Sequence, residues 1–347
     1  MTHLFVDISG HGLGHLAQVA PVVNALRAAR PDLHLTVRSS IARERLTLRI
    51  AGDFTHVRGT GDVGFVMHDA INVNVAASAR GYREFHAEWP LRVLRETEAL
   101  ARLAPDLVLT DVAYLPLAAA AALRIPSVAM CSLNWADLAE HYFDREPWFA
   151  GAHRQMLAAY RGANMFLRLT PGMPMPDLPN LTVAGPVATA PERDRDEVAR
   201  WLNLPADCRW VVVGLGGFDL PLPVEEWPDH DDILWLRHEE FAGGGVPFMD
   251  LLASADAVLT KPGYGTFVEA AAHGVPVLYL RRPDWPEERC LIDWLHQNGR
   301  AAEVTRAQAE RGDLRPLLEA LWTMPVPARP QPTGVSHAVE ALLDLLP

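Results

Sequence analysis

Two histidines in a glycine-rich loop, Gly10-His11-Gly12-Leu13-Gly14-His15, are well suited to move a proton near neutral pH. An unperturbed imidazole titrates at about 6.5, close to where a general base must work. The loop follows an apolar run, Leu4 to Ile8, and opens a helix, as a dinucleotide fingerprint would. The acidic residue that should end the next strand is missing, because that strand leads into Val37-Arg38-Ser39. The histidines therefore favour acid–base work, with His15 at the helix start preferred and His11 close behind. Loop hydrogen bonding is the plain alternative for either. Asp111 closes the run Leu-Val-Leu-Thr-Asp, at the carboxyl edge where open α/β sheets bind ligands. It could orient a loop histidine, accept a hydroxyl proton or cap the following helix. Asn134 and Trp135 fall on the same edge. They suit hydroxyl bonding and stacking on a sugar face, unless Trp135 is a core residue.

A second constellation suits an anion. Lys261-Pro-Gly-Tyr-Gly-Thr-Phe-Val-Glu269 joins a strand ending at Thr260 to a helix, expected to begin near Gly265 and Thr266. Glycines at 263 and 265 allow a tight turn and close approach of a phosphate to backbone N–H groups at a helix start. Thr266 could cap that helix or donate to a phosphate oxygen. Glu269, one turn further on, could reach a ribose diol. A plain strand–helix turn explains the glycines equally well. Another turn, Gly214-Leu-Gly-Gly217, follows the first strand of the second half.

Elements that could carry these loops alternate along the chain. Short apolar runs and amphipathic stretches indicate parallel sheets flanked by helices. Strands are expected at 4–8, 33–37, 54–57, 71–75, 107–110 and 127–130, with helices at 17–29, 84–103 and 116–123. Prolines crowd residues 171–191 as a stiff connector, and a new α/β series starts at Trp210. The predicted organisation is 1–186, 187–330 and a last helix in 331–347 that returns to the first domain. At 347 residues the chain is long for one domain. A net charge of −12 argues against a nucleic-acid partner. No apolar run is long enough to span a bilayer, and the N-terminus lacks a signal-peptide pattern. The expectation is a cytoplasmic protein, with peripheral contact at the inner membrane face left open. Cys131, Cys208 and Cys290 fit neither a disulfide framework nor a metal pattern, and no metal ligand set is expected. Asp194-Arg-Asp196 reads as a charged helix start.

The segment 248–280, with Gly263, Gly265, Thr266, Glu269, Gly274 and Pro276, resembles the donor-binding region of GT-B glycosyltransferases. These include UDP-glycosyltransferases and the N-acetylglucosaminyltransferase of the lipid II pathway. The loop at 10–15 is similar to the glycosyltransferase-like region of plant arabinokinases. The resemblance implies an α/β fold of two Rossmann-like domains facing across a cleft. It implies diphosphate binding at the 261–266 turn with Gly12, Gly14, Gly216 and Gly217 closing in, and ribose binding by Glu269. Asp284, Glu287 and Glu288 stand where UDP-glycosyltransferases place an acidic residue and a Gln for the donor sugar; the Gln is absent. Arg281 and Arg282 could meet the diphosphate or lie on the surface.

The function this implies is transfer of a sugar from a nucleoside-diphosphate sugar, a co-substrate, to a small-molecule, glycan or lipid-linked acceptor. The expected reaction is metal-independent and inverting, with no cofactor. A nucleotide-sugar 2-epimerase and a non-catalytic nucleotide-sugar-binding module are the alternatives. Trp135, Tyr142, Phe143, Trp148 and Phe149 suggest a flat or apolar acceptor.

Overall fold

The computed structural model describes residues 2–205, 207–215, 222–237 and 246–347. In the first half β1 (His3–Asp7), β2 (His34–Ser39), β3 (Thr55–Arg58), β4 (Leu107–Thr110), β5 (Ser127–Cys131), β6 (Met165–Arg168) and β7 (Leu181–Val183) pair in the order β3-β2-β1-β4-β5-β6-β7. In the second, β8 (Arg209–Val213), β9 (Ile233–Arg237), β10 (Ala257–Thr260), β11 (Val277–Tyr279) and β12 (Ala301–Glu303) pair as β12-β11-β10-β8-β9. Every pairing within these sheets is parallel. Their central strands are apolar without alternation, as sheets covered on both faces require.

Helix α1 (Leu13–Ala29) is buried on more than one side, with Leu16, Ala17, Val19, Ala20, Val23 and Leu26 all inside. An amphipathic surface helix would show one stripe. Numbering the helices in chain order, α1 meets the first sheet, α10 (Tyr264–His273) and the last helix, α14 (Thr333–Leu343). One core joins Val19 and Val23 to Phe267, Val268 and Ala271 and to Ala338 and Leu342. The returning helix thus packs on α1 of the first half, within the core that continues into the second.

Two expectations change. Residues 71–75 form no strand: Met67 and Val73 make an isolated antiparallel bridge, and Asn74 caps α3 (Val75–Ala87). The single helix at 84–103 is broken at Glu88, and α4 (Trp89–Leu103) starts anew. Pro90 has no N–H and its ring clashes with a preceding turn, so it belongs at a helix start. Sequence reading also passed over α6 (Trp135–Phe143), α7 (Phe149–Gly162) and β6.

The aromatic segment folds inward. Trp135, Phe143 and Phe149 are buried in a core with Phe65, Tyr82 and Tyr160. Their large apolar area stabilises the first half and presents no flat platform.

The docking of α14 depends on Gly334, whose N–H donates to Pro186 O at 2.9 Å. A Cβ there would stand 2.2 Å from Gly185 O. Gly334→Val is expected to cost about 1–3 kcal/mol through overpacking, read as a fall in melting temperature.

Candidate active site

In the first sheet the strand order reverses between β1 and β4, and in the second between β8 and β10. Open α/β sheets bind ligands outside the strand carboxyl ends at such points. The His11/His15 loop follows β1 and Asp111 follows β4; Gly214 follows β8 and Lys261 follows β10. Gly216 and Gly217 lie outside the described residues.

The two halves meet at the starts of α1 and α10. A Cβ on Gly265 would lie 3.0 Å from Ala17 Cβ and 3.9 Å from Gly14 Cα. Only small residues allow that approach. The N-cap positions, Gly12 and Gly263, carry no side-chain cap. Two sets of first-turn N–H groups and two positive helix ends therefore share one region. Thr266 does not cap: α10 begins at Tyr264, and Thr266 is its third residue.

His15 directs Nδ1 to Asp111 Oδ2 at 2.8 Å, and both are buried. Asp111 also accepts from the Ser9 and Val112 N–H groups, so it orients the imidazole instead of capping α5 (Leu115–Leu123). Burial alone would lower the His15 pKa. The Asp111 charge and hydrogen bond, with a smaller contribution from Cys131, outweigh it and raise the value well above the ordinary one. His11 differs. Its Nδ1 accepts from the Phe65 N–H at 3.3 Å, so the neutral ring carries its proton on Nε2. Burial, then the charges of His15, Arg282 and Lys261, push its pKa well below the usual value. The His11 ring stacks on Trp285 with centroids 5.5 Å apart.

On the facing side, Lys261 Nζ lies 4.0 Å from the Cβ position of Gly263, at the open end of α10. Burial and Arg282 bring its pKa down to about 7, against an opposing effect of Glu287. Arg282 is 6 % exposed, not a surface residue, and its buried Nε has no hydrogen-bond partner. Cations gathered at a positive helix end are unfavourable by themselves and suit an incoming anion.

Three of the four carboxylates expected to hold the donor, Glu269, Glu287 and Glu288, are engaged within the chain. Glu269 is paired with Arg49, Nη1 to Oε1 at 2.7 Å. Glu287 accepts from Ser132 Oγ at 2.6 Å and from the Trp285 indole at 3.2 Å. Glu288 accepts from Arg281 and from the Arg282 backbone. Asp284 is exposed, and its carbonyl accepts from Tyr142 Oη. Asn134 caps α6, its side chain accepting from the Asp137 N–H at 2.8 Å. Trp135 is fully buried, so no sugar can stack on it here; its Nε1 donates to Asp62 at 2.7 Å.

The sequence alone does not point to Asp62, Arg49 or the Gln18–Ser132 pair (3.0 and 3.2 Å) that supports Glu287. Asp62 alone carried a local signal, the turn Gly59-Thr-Gly-Asp62. Replacing Asp111 by Asn leaves burial as the main influence on His15. Its pKa is then expected to fall from above the ordinary histidine value to below it, read by NMR titration of the ring.

No known family model matches the chain. It is 27% identical over 343 residues to the L-arabinokinase of Arabidopsis thaliana, a match taking in 90% of this chain and 31% of that protein. The chain thus spans about a third of the length of this curated relative. Among solved structures it superposes on the glycotransferase of kitacinnamycin with a TM-score of 0.66 and 17% identity, over 99% of both chains. UGT89C1 of Arabidopsis thaliana with quercetin gives 0.60 at 15% identity, over 99% of each. UGT2 of Phytolacca americana with UDP-2-fluoro-glucose and pterostilbene gives 0.56 at 14% identity, over 99% of this chain and 94% of that one. The chain has the GT-B glycosyltransferase fold.

Proposed function

We propose that the protein is a glycosyltransferase that moves a sugar from a nucleoside-diphosphate sugar to an acceptor hydroxyl with inversion and without a metal. The observation that carries this reading is the buried His15–Asp111 pair at 2.8 Å, beside the open N-terminus of α10 where Lys261 and Gly263 meet. Asp111 holds Nδ1, which leaves Nε2 as the nitrogen that takes the proton. The acceptor oxygen attacks the anomeric carbon while its proton passes to His15 Nε2. The bond from that carbon to the diphosphate oxygen breaks, and its electron pair stays on the diphosphate. Lys261, Arg282 and the first-turn N–H groups of α10 stabilise the charge that develops there. In this reading Glu269 binds the ribose, so donor binding exchanges the Arg49 contact for ribose hydroxyls.

The UDP-2-fluoro-glucose held by the Phytolacca americana structure makes UDP-sugars the first donors to try. A second reading, a nucleotide-sugar-binding module, is favoured by the match to one part of a much longer arabinokinase. It shares the donor site but releases no nucleoside diphosphate.

Thermal stabilisation against nucleoside diphosphates and their sugars tests the donor site. At a hundred times the dissociation constant, ligand adds about 2.7 kcal/mol. One nucleotide class is expected to stabilise the wild type and to fail with Glu269→Ala. Absence of any stabilisation would leave the fold without the function. Turnover tests the base: His15→Ala should lower kcat about 10²–10⁴-fold, and unchanged turnover would remove His15 from the mechanism. Below its raised pKa His15 is an imidazolium with no lone pair to offer. The rate should therefore climb with pH, with a midpoint above the ordinary histidine value.

A further inference from the structure

A cavity of about 380 Å³ opens beside the histidine loop, between residues 9–11, Ser40 and residues 60–67. Small-molecule sites run from about 300 to 1,000 Å³, so this one suits a small ligand. Its wall carries oxygen and nitrogen on Ser9, His11, Ser40, Thr60 and Asp62, while Val66 contributes apolar surface. The nearby aromatic rings are withdrawn, since Phe65 is 5 % and Trp135 0 % exposed. Neither of these two rings offers a face to a flat aromatic acceptor.

Asp62 is the unusual member. It is 4 % exposed, with one carboxylate oxygen held by Trp135 Nε1 at 2.7 Å and the other by Thr60 Oγ1 at 2.5 Å. The Ser9 side chain is a third hydrogen-bond partner. An ionised carboxylate offers about four acceptor positions, so these bonds fix its orientation and leave room for one hydroxyl of a sugar or polyol. Exposed Ser40 adds a hydroxyl that can donate or accept, and exposed Thr60, whose proton goes to Asp62, adds an acceptor. The C–H face of a pyranose can rest on Val66. The cavity lies one ring from the proposed base: His11 lines it, and the His11 and His15 ring centroids are 6.3 Å apart.

We infer that the acceptor is a small polyhydroxylated molecule, of mono- or disaccharide size, seated in this cavity and anchored by the Asp62 carboxylate. The inference rests on the transferase reading above and gives it a substrate class. It is an alternative to the flat, apolar acceptor expected from the aromatic residues of segment 134–160, of which Trp135, Phe143 and Phe149 are core while Tyr142 and Trp148 are partly exposed.

Saturation-transfer NMR with free aldoses, disaccharides, myo-inositol and quercetin, each with and without UDP, tests it. At least one polyhydroxylated compound should bind, and Asp62→Asn should weaken it about tenfold, the worth of roughly one charge-assisted hydrogen bond. Ser40→Ala should weaken it several-fold. That exposed position loses only an oxygen, so it reports on binding even if Asp62→Asn folds poorly. Quercetin binding without any polyol, or polyol binding unchanged in both variants, would overturn the inference. Thermal stabilisation by UDP-glucose and the other nucleotide sugars, on the same protein, separates the two readings. Nucleotide stabilisation with no polyol bound removes the acceptor class alone. Polyol binding that depends on Asp62, with no nucleotide stabilisation, removes the transferase reading and leaves a polyol site.

Discussion

The contact between the starts of α1 and α10 is the constraint on which the rest of the structure depends. Gly14, Ala17 and Gly265 bring the two backbones together at a distance that larger side chains would prevent. Closing at that point fuses the two halves into one apolar core around α1, with α14 completing it. It also sets two open helix ends side by side, where His15 and Asp111 are withdrawn from water and Lys261 is partly so. Packing and electrostatics are therefore coupled here. A residue that widened this contact would rehydrate the charged groups and weaken the helix-end field together.

Withdrawing so many ionisable groups is costly unless each is paired. Three pairings among the described residues cross the cleft: Arg49 with Glu269, Ser132 with Glu287 and Tyr142 with the Asp284 carbonyl. Beneath the histidine loop, Arg38 bridges Asp7 and Glu96. The closed chain thus supplies its own substitutes for a ligand's hydroxyls. Removing one partner of a buried pair costs about 3–5 kcal/mol, whereas exchanging it for a ligand group of similar geometry costs far less. On the proposed reading, a donor that presents a diol to Glu269 as Arg49 leaves is admitted without leaving a bare buried charge.

Most of the strands and the glycine turn at 261–265 were legible because both are local, while 71–75 proved no strand and β6 gave no signal. Apolar runs such as Val211–Val213 and Ala257–Thr260 match buried parallel strands, and the turn at 261–265 needs only its own residues. The Pro90 break was local too, yet the apolar repeat on either side of it masked the end of one helix and the start of another. What stayed hidden depends on distant partners. Arg49 meets Glu269 across 220 positions, and Ser132 meets Glu287 across 155. Nothing in the neighbourhood of Arg49 marks it as the occupant of a carboxylate site. The aromatic cluster at 135–149 misled for a similar reason: residue type gives apolar area, and only tertiary packing decides whether that area is core or platform.

His11 and His15 show how little residue type alone decides. They lie four positions apart in one loop, and sequence could not rank them beyond position. Their Nδ1 partners separate them: a backbone N–H at His11 and a carboxylate at His15. The first partner places the neutral ring's proton on Nε2 and makes that nitrogen a donor; the second leaves Nε2 a lone pair. A module that only bound nucleotide sugars would need the glycine turn and the cations around it. It would have no use for an imidazole and a carboxylate buried together, because their desolvation is repaid only in part by mutual attraction. Retaining that arrangement beside the open helix end favours a protein that moves a proton over one that only holds a ligand.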